Sequence, residues 1–320
     1  MTLGRLFDDM KKFLSLFALL TAACAAHALD IEWVTVGDAG NAPDKTGHGA
    51  VAYEFQITKH EITVFQYAEF LNAVAAKADP RAVWNAAQKI VRTGNPGAFK
   101  YAASPKRERE PVMQVSFLDA MRFANWLHHG GGSGDTETGA YLISKDGGLA
   151  SREAGARIWI PNENEWYKAA YYQPQATGGP PGNYWRYPSR SDLAPKLAKP
   201  GDPGLNLANF LADTRPQPNG GILRGFNDVM PVGSFPGSAS HYGTLDQAGN
   251  AWEWIETTVF DTQRIIRGGS MCGSHEKLLS TVRTSTSPAK RYPDTGFRLA
   301  RAMPKAGHTP NLQPTPPKQP

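Results

Sequence analysis

The sequence predicts an α+β domain with little regular secondary structure. Three observations carry this. Short alternating apolar segments are interspersed with three capped helical segments. Gly (32) and Pro (25) are frequent enough to break the 320-residue chain often. The stretch 173–235 is rich in Pro, Gly, Asn and Asp and carries neither a helical nor a strand period.

Residues 1–28 read as a targeting segment. Lys11-Lys12 precede the apolar run Phe13–Leu20, and Ala26-His27-Ala28 supplies a small-x-small cleavage pattern. The run is too short to span a bilayer, so no membrane span is expected. Met10 competes with Met1 as the start, because Met10-Lys11-Lys12 is the more typical opening. Cys24 raises the question of lipidation, but Thr21 stands where Leu is usual. Cleavage near Ala28 predicts a secreted or periplasmic protein with one cysteine, Cys272, and no intramolecular disulfide.

Ile31–Val36 alternates and is expected as a strand. Val51–Ile57 alternates again and is expected to pair with it across a Gly-rich loop. Thr63-Val64-Phe65-Gln66 is a capping box, opening a helix with Tyr67, Phe70, Leu71, Val74 and Ala75 on one face. Ser116 to Asp119 is a second box. Its helix carries Ala120, Phe123, Ala124 and Leu127 inward and stops at Gly130-Gly131-Gly132. Asn162 caps a third helix, preceded by an extended Arg157–Ile160. Short strands return at Ala251–Ile255, Ile265–Arg267 and Phe297–Ala300. Residues 305–320 are Pro- and Lys-rich and are expected to be disordered, which leaves one domain over 29–304.

The formal net charge of +5 falls to about +4 once the targeting segment is removed. No dense basic block interleaves with aromatics, which argues against nucleic acid as a partner. No P-loop, nucleophile elbow or dinucleotide fingerprint is present. His128-His129 ends the second helix, where a charged His would complement the dipole.

Five blocks then stand in order: Phe55–Thr63 with Tyr67, Phe70 and Leu71; Pro111-Val112 with Ser116, Asp119-Ala120 and Asn125-Trp126-Leu127; Ile160–Trp166; Pro231–Ser234 through Tyr242-Gly243 and Asp246 to Gly249-Asn250-Ala251-Trp252-Glu253-Trp254; and Arg267-Gly268-Gly269-Ser270 to Gly296-Phe297-Arg298. In this order they resemble the formylglycine-generating enzyme (sulfatase-modifying factor) family. The resemblance covers about Trp33 to Arg301. It implies a C-type-lectin-like fold, an α+β domain in which long loops still belong to one unit. Trp126, Trp166, Trp252 and Trp254 are expected in its core, and Gly268-Gly269 at a tight backbone approach.

The family's best-known chemistry oxidises a peptide cysteine with O2 at Cu(I) held between two cysteines, as soft thiolates favour Cu(I). Those cysteines follow the Gly-Gly-Ser motif, five residues apart. Here the position of the first, three after Ser270, holds Gly273. Its partner position holds Leu278, or Lys277 when counted from Cys272. No thiolate pair can form within the chain, so copper is not expected. Cys272-x-x-His275 offers two ligands, too few for a strong site. Iron-binding histidines of the related sulfoxide synthases come mainly from an added helical domain ahead of this one, with no counterpart before Val36. The resemblance does imply a structural calcium ion at Asn250 and Glu253 with the carbonyls of Ala248 and Ala251. A second calcium position falls on Asn209 and Phe210, with Arg224 where a carboxylate is needed, so this site is expected to be lost unless Asp228 substitutes. A ligand face is expected near Arg267, Ser270, Arg283 and Arg298. The reading is an exported, monomeric binding or accessory module for a protein or peptide ligand, stabilised by calcium. Its rival is a metal-dependent oxidase with a divergent centre at Cys272 and His275.

Overall fold

A computed structural model describes residues 29–132, 134–144, 150–211 and 228–304. The expected targeting segment with Cys24 and its cleavage point, the tail 305–320, and Arg224 lie outside them.

Each helix begins where its capping box stands. Helix α1 (Val64–Val74) follows Thr63, whose hydroxyl accepts from the Gln66 amide while Gln66 Oε1 accepts from the Thr63 amide. Helix α2 (Phe117–His128) has the same reciprocal pair between Ser116 and Asp119. Helix α3 (Glu163–Tyr171) has it between Asn162 and Glu165. Two otherwise orphaned amides are satisfied at each start.

Strands β1 (Trp33–Val36) and β2 (Phe55–Thr58) pair antiparallel, with Trp33 opposite Thr58. Strand β12 (Ala300–Ala302) lies on the other side of β2, and β5 (Ile158–Trp159) closes the sheet in the order β1-β2-β12-β5. A second sheet joins β10 (Thr284–Thr286), β9 (Gln263–Arg267), β8 (Trp252–Val259) and β11 (Thr295–Gly296) in that order, with β11 parallel to β8. Two small ribbons complete the described strands: β3 (Ile90–Thr93) with β4 (Lys100–Ala103), and β6 (Lys196–Leu197) with β7 (Leu207–Ala208).

The principal core packs α1 and α2 against both four-stranded sheets. Tyr67 stacks on Phe123 at 5.9 Å, and Phe70 meets Phe123 edge-on at 5.4 Å. Phe297 closes on the same ring. Each such burial contributes about 1.5–3 kcal/mol. Trp126, Trp166 and Trp254 are buried as expected, and Trp252 is half-buried. Among the described residues no helix is long and apolar enough to cross a membrane.

Three expectations change. The strand expected from Val51 starts only at Phe55. Phe297–Ala300 is not one strand: β11 ends at Gly296 and β12 begins at Ala300, so the intervening residues cross from one sheet to the other. His128 does not complement a helix dipole. Burial and the neighbouring Arg157 push its imidazole down to about 4, and its Nδ1 accepts from the Arg157 amide, which requires the neutral ring.

Candidate functional site

The loop after β9 carries Cys272. Gly268 and Gly269 open it with φ of +99° and +76°, a conformation that favours glycine. A Cβ on Gly269 would lie 2.5 Å from Leu278 Cδ2, so the close approach is real. The Met271 amide then donates to the Asn250 carbonyl and the Leu211 amide to the Gly273 carbonyl, which anchors the loop on both sides. The Ser270 hydroxyl donates to Asp294 at 2.8 Å and accepts from the Cys272 amide at 3.3 Å. The thiol itself is exposed. Desolvation and the nearby Asp294 carboxylate both push its pKa up, which disfavours the thiolate.

His275 lies on the following turn. It is half-buried, 3.4 Å from Glu276, with its ring edge toward Phe210. Leu278, in the family's second cysteine position, is buried in an apolar cluster with Tyr187, Ala208 and Phe210. The donor set therefore does not fit a copper pair: one thiol has a raised pKa and the second position holds an aliphatic side chain. Among the described residues, no three His, Cys, Asp or Glu side chains converge as a metal site.

The expected ligand face needs correction. Arg267 is 1% exposed, held by Glu163 at 2.6 Å and by the carbonyls of Ser280 and Val282. Arg298 is fully buried. Its five N–H groups all donate: to both oxygens of Glu253 and to the carbonyls of Thr58, Lys59 and Leu245. Ser270 is buried as well. Only Arg283 reaches the surface, where it forks onto the outer side of Glu163. These arginines hold the interior together and do not line a groove.

The expected calcium turn is well formed. Gly249 (φ +81°) and Asn250 (φ +63°) press against Asn209, whose carbonyl accepts from the Asn250 amide. Ala251 is buried behind it, and Ala248 packs against the cluster that holds Leu278. The Glu253 carboxylate does not fit the expected role, because Arg298 takes both its oxygens and the Trp166 indole donates to one at 2.7 Å. A guanidinium occupies the position a cation would need. Asn250 bonds to Glu61 and to Asn209, two buried residues whose other oxygens need partners. Among the described residues, Glu61 Oε2 and Asn209 Oδ1 have none. Nothing in the spacing of the sequence singled out Glu61, which stood within the first motif block.

The fold agrees with the relatives. Residues 33–303 match the family model described as a sulfatase-modifying factor enzyme 1-like domain. The formylglycine-generating enzyme of Mycobacterium tuberculosis is 30% identical over 177 residues, covering 55% of this chain and 43% of that protein. The hercynine oxygenase of Mycolicibacterium smegmatis is 27% identical over 214 residues, covering 60% and 37%. The inactive C-alpha-formylglycine-generating enzyme 2 of Mus musculus is 27% identical, covering 63% of each. The matched stretch is thus less than two thirds of each of these relatives. The crystal structure of CarF superposes with a TM-score of 0.55 at 20% identity, covering 86% of this chain and all of that one, which is a likeness of fold. The chain belongs to the sulfatase-modifying factor enzyme 1-like family.

Proposed function

We propose that this member of the family is an exported binding or accessory module, stabilised by calcium, that does not oxidise cysteine. One observation carries the reading: the loop that would hold two thiolates holds a single thiol, Cys272, whose pKa burial and Asp294 raise, and the second cysteine position holds the buried Leu278. Soft-metal chemistry needs deprotonated sulfur. A relative whose own name calls it inactive supports the idea that the scaffold is kept without the reaction. The ligand is a protein or peptide, met by the polar loops around Cys272 and Arg283.

The test incubates purified protein with copper, O2 and a cysteine-containing sulfatase peptide, and looks for the aldehyde by mass spectrometry. No formylglycine is expected. Formylglycine that disappears in Cys272→Ser would replace this reading with an oxidase centred on Cys272, completed by His275.

A further inference from the structure

Between Arg81 and Arg107 the sequence holds six Lys or Arg and no Asp or Glu, in a chain whose formal net charge is +5. The bases are spread too thinly to read as a block, and the fold gathers most of them on the β3–β4 ribbon.

The ribbon is mounted by one edge. Asn72 on α1 accepts from the Tyr101 amide and donates to the Tyr101 carbonyl, both at 2.8 Å, so its side chain closes the outer side of β4. The Tyr101 hydroxyl donates to the Ala75 carbonyl at 3.2 Å. The tip rests on the segment after α1, where the Phe99 amide donates to Ala76 and the Gly97 amide to Lys77. Strand β3 pairs with β4 alone, and residues 91–98 are all exposed.

The cations divide into two groups. At the base, Glu110 and Asp228 hold Lys89 at 2.9 and 3.3 Å, and the same two carboxylates hold Arg107. Toward the tip, Lys77, Arg92 and Lys100 are exposed and form no ion pair among the described residues. Asp79, the acid before this span, is spent on the amides of Val83 and Trp84. Arg92 is fixed by stacking 3.9 Å over Trp84 and 4.5 Å over Phe99, both half-buried. Lys100 pairs with Thr93 and so stands on the opposite face of the ribbon from Arg92. Beyond them Gly94 to Ala98 carries no charged side chain, and the Ala98 amide closes it onto the Asn95 carbonyl at 2.9 Å.

A neutral tip with cations on both faces behind it suits a surface that is anionic outside and apolar beneath. A bilayer is such a surface: its phosphates meet the cations while the tip, the exposed Val91 and the Phe99 ring enter the headgroup layer. A nucleic acid or an acidic peptide would need the cations on the leading surface, in direct contact with phosphates or carboxylates.

We infer that the β3–β4 ribbon docks this protein on anionic phospholipid membranes, through its neutral tip and the collar of Lys77, Arg92 and Lys100. This surface is separate from the loops around Cys272 and Arg283, and the inference does not rest on the reading above.

The test floats the full protein with vesicles of phosphatidylglycerol and phosphatidylcholine, or of phosphatidylcholine alone. Binding to the anionic vesicles is expected, and roughly tenfold or more weakly to the neutral ones. About 0.5 M salt should release it. Lys77→Gln/Lys100→Gln should weaken binding roughly tenfold. Lys45→Gln/Lys196→Gln removes the same charge from exposed sites elsewhere and should change it less than about twofold. Asn95→Asp, which puts an acid on the leading surface at constant shape, should weaken it severalfold. Unchanged thermal unfolding checks that each variant folds. Equal binding to both vesicles, or equal losses in the two double variants, would overturn the assignment. So would failure to float with either vesicle, and capture of polyglutamate or duplex DNA instead would give the surface to that polyanion.

Discussion

At the scale of the residue, Cys272 shows how environment and not presence decides chemistry. The thiol is exposed, yet partial desolvation and Asp294 hold its pKa above the ordinary cysteine value. Its thiolate fraction is therefore smaller than that of a free cysteine at the same pH, and only the thiolate attacks an alkylating agent. Alkylation by iodoacetamide should be slower at pH 8 than for a free cysteine peptide, and should rise with pH beyond the peptide's own inflection. Asp294→Asn removes the smaller of the two causes, so the profile should move partly back toward the peptide. Wild-type protein reacting faster than the peptide at pH 8 would show that a thiolate is stabilised there after all. The absence of a second cysteine from this loop was legible from counting. The raised pKa was not, because Asp294 comes 22 positions later and meets the loop through Ser270.

At the scale of the element, the helices were legible and several strands were not, for a physical reason. A capping box is complete within four residues, so its signal needs no tertiary partner. The β3–β4 ribbon has only Ile90 and Tyr101 buried, too few to leave an alternating pattern. What the boxes concealed is that their third helical residue also reaches far along the chain. Asp119 caps α2 and takes a fork from Arg291, at 2.7 and 3.0 Å. Glu165 caps α3 and also accepts from Tyr53, Trp159 and Arg152. A local signal thus fixes the tertiary attachment of the helix. Ser116→Ala should cost about 1 kcal/mol, the ordinary worth of a cap. Asp119→Ala should cost about 2–3 kcal/mol, because it also strands the half-buried Arg291. Denaturant midpoints of the two variants check this, and equal losses would mean that the Arg291 fork contributes little.

At the scale of the whole molecule, two four-stranded sheets share one short crossing. Between β11 and β12 the chain passes from one sheet to the other through Phe297, Arg298 and Leu299, all fully buried. Arg298 reaches Glu253 on β8, Thr58 at the end of β2, and Leu245 on the loop before the Asn250 turn. The sequence could suggest a ligand-facing arginine here because a Gly-Phe-Arg motif looks exposed when its partner stands 45 residues away. Likewise, Arg267 meets Glu163 across 104 residues. Such pairs leave no local trace, which is why the blocks gave the family and not the inside of the domain. A buried ion pair is weak evidence of net stability, but losing one partner leaves the other charged and dry. Arg298→Met should therefore cost about 3–5 kcal/mol, a fall in Tm on the order of 10 °C for a domain of this size. Arg301→Met, three residues on, removes a half-buried guanidinium stacked 4.4 Å over Trp33, and should cost no more than about 1 kcal/mol. Calorimetry on both variants separates the two cases. A small loss in Arg298→Met would mean that the sheets are joined by apolar packing alone, with the arginine contributing no more than its stem.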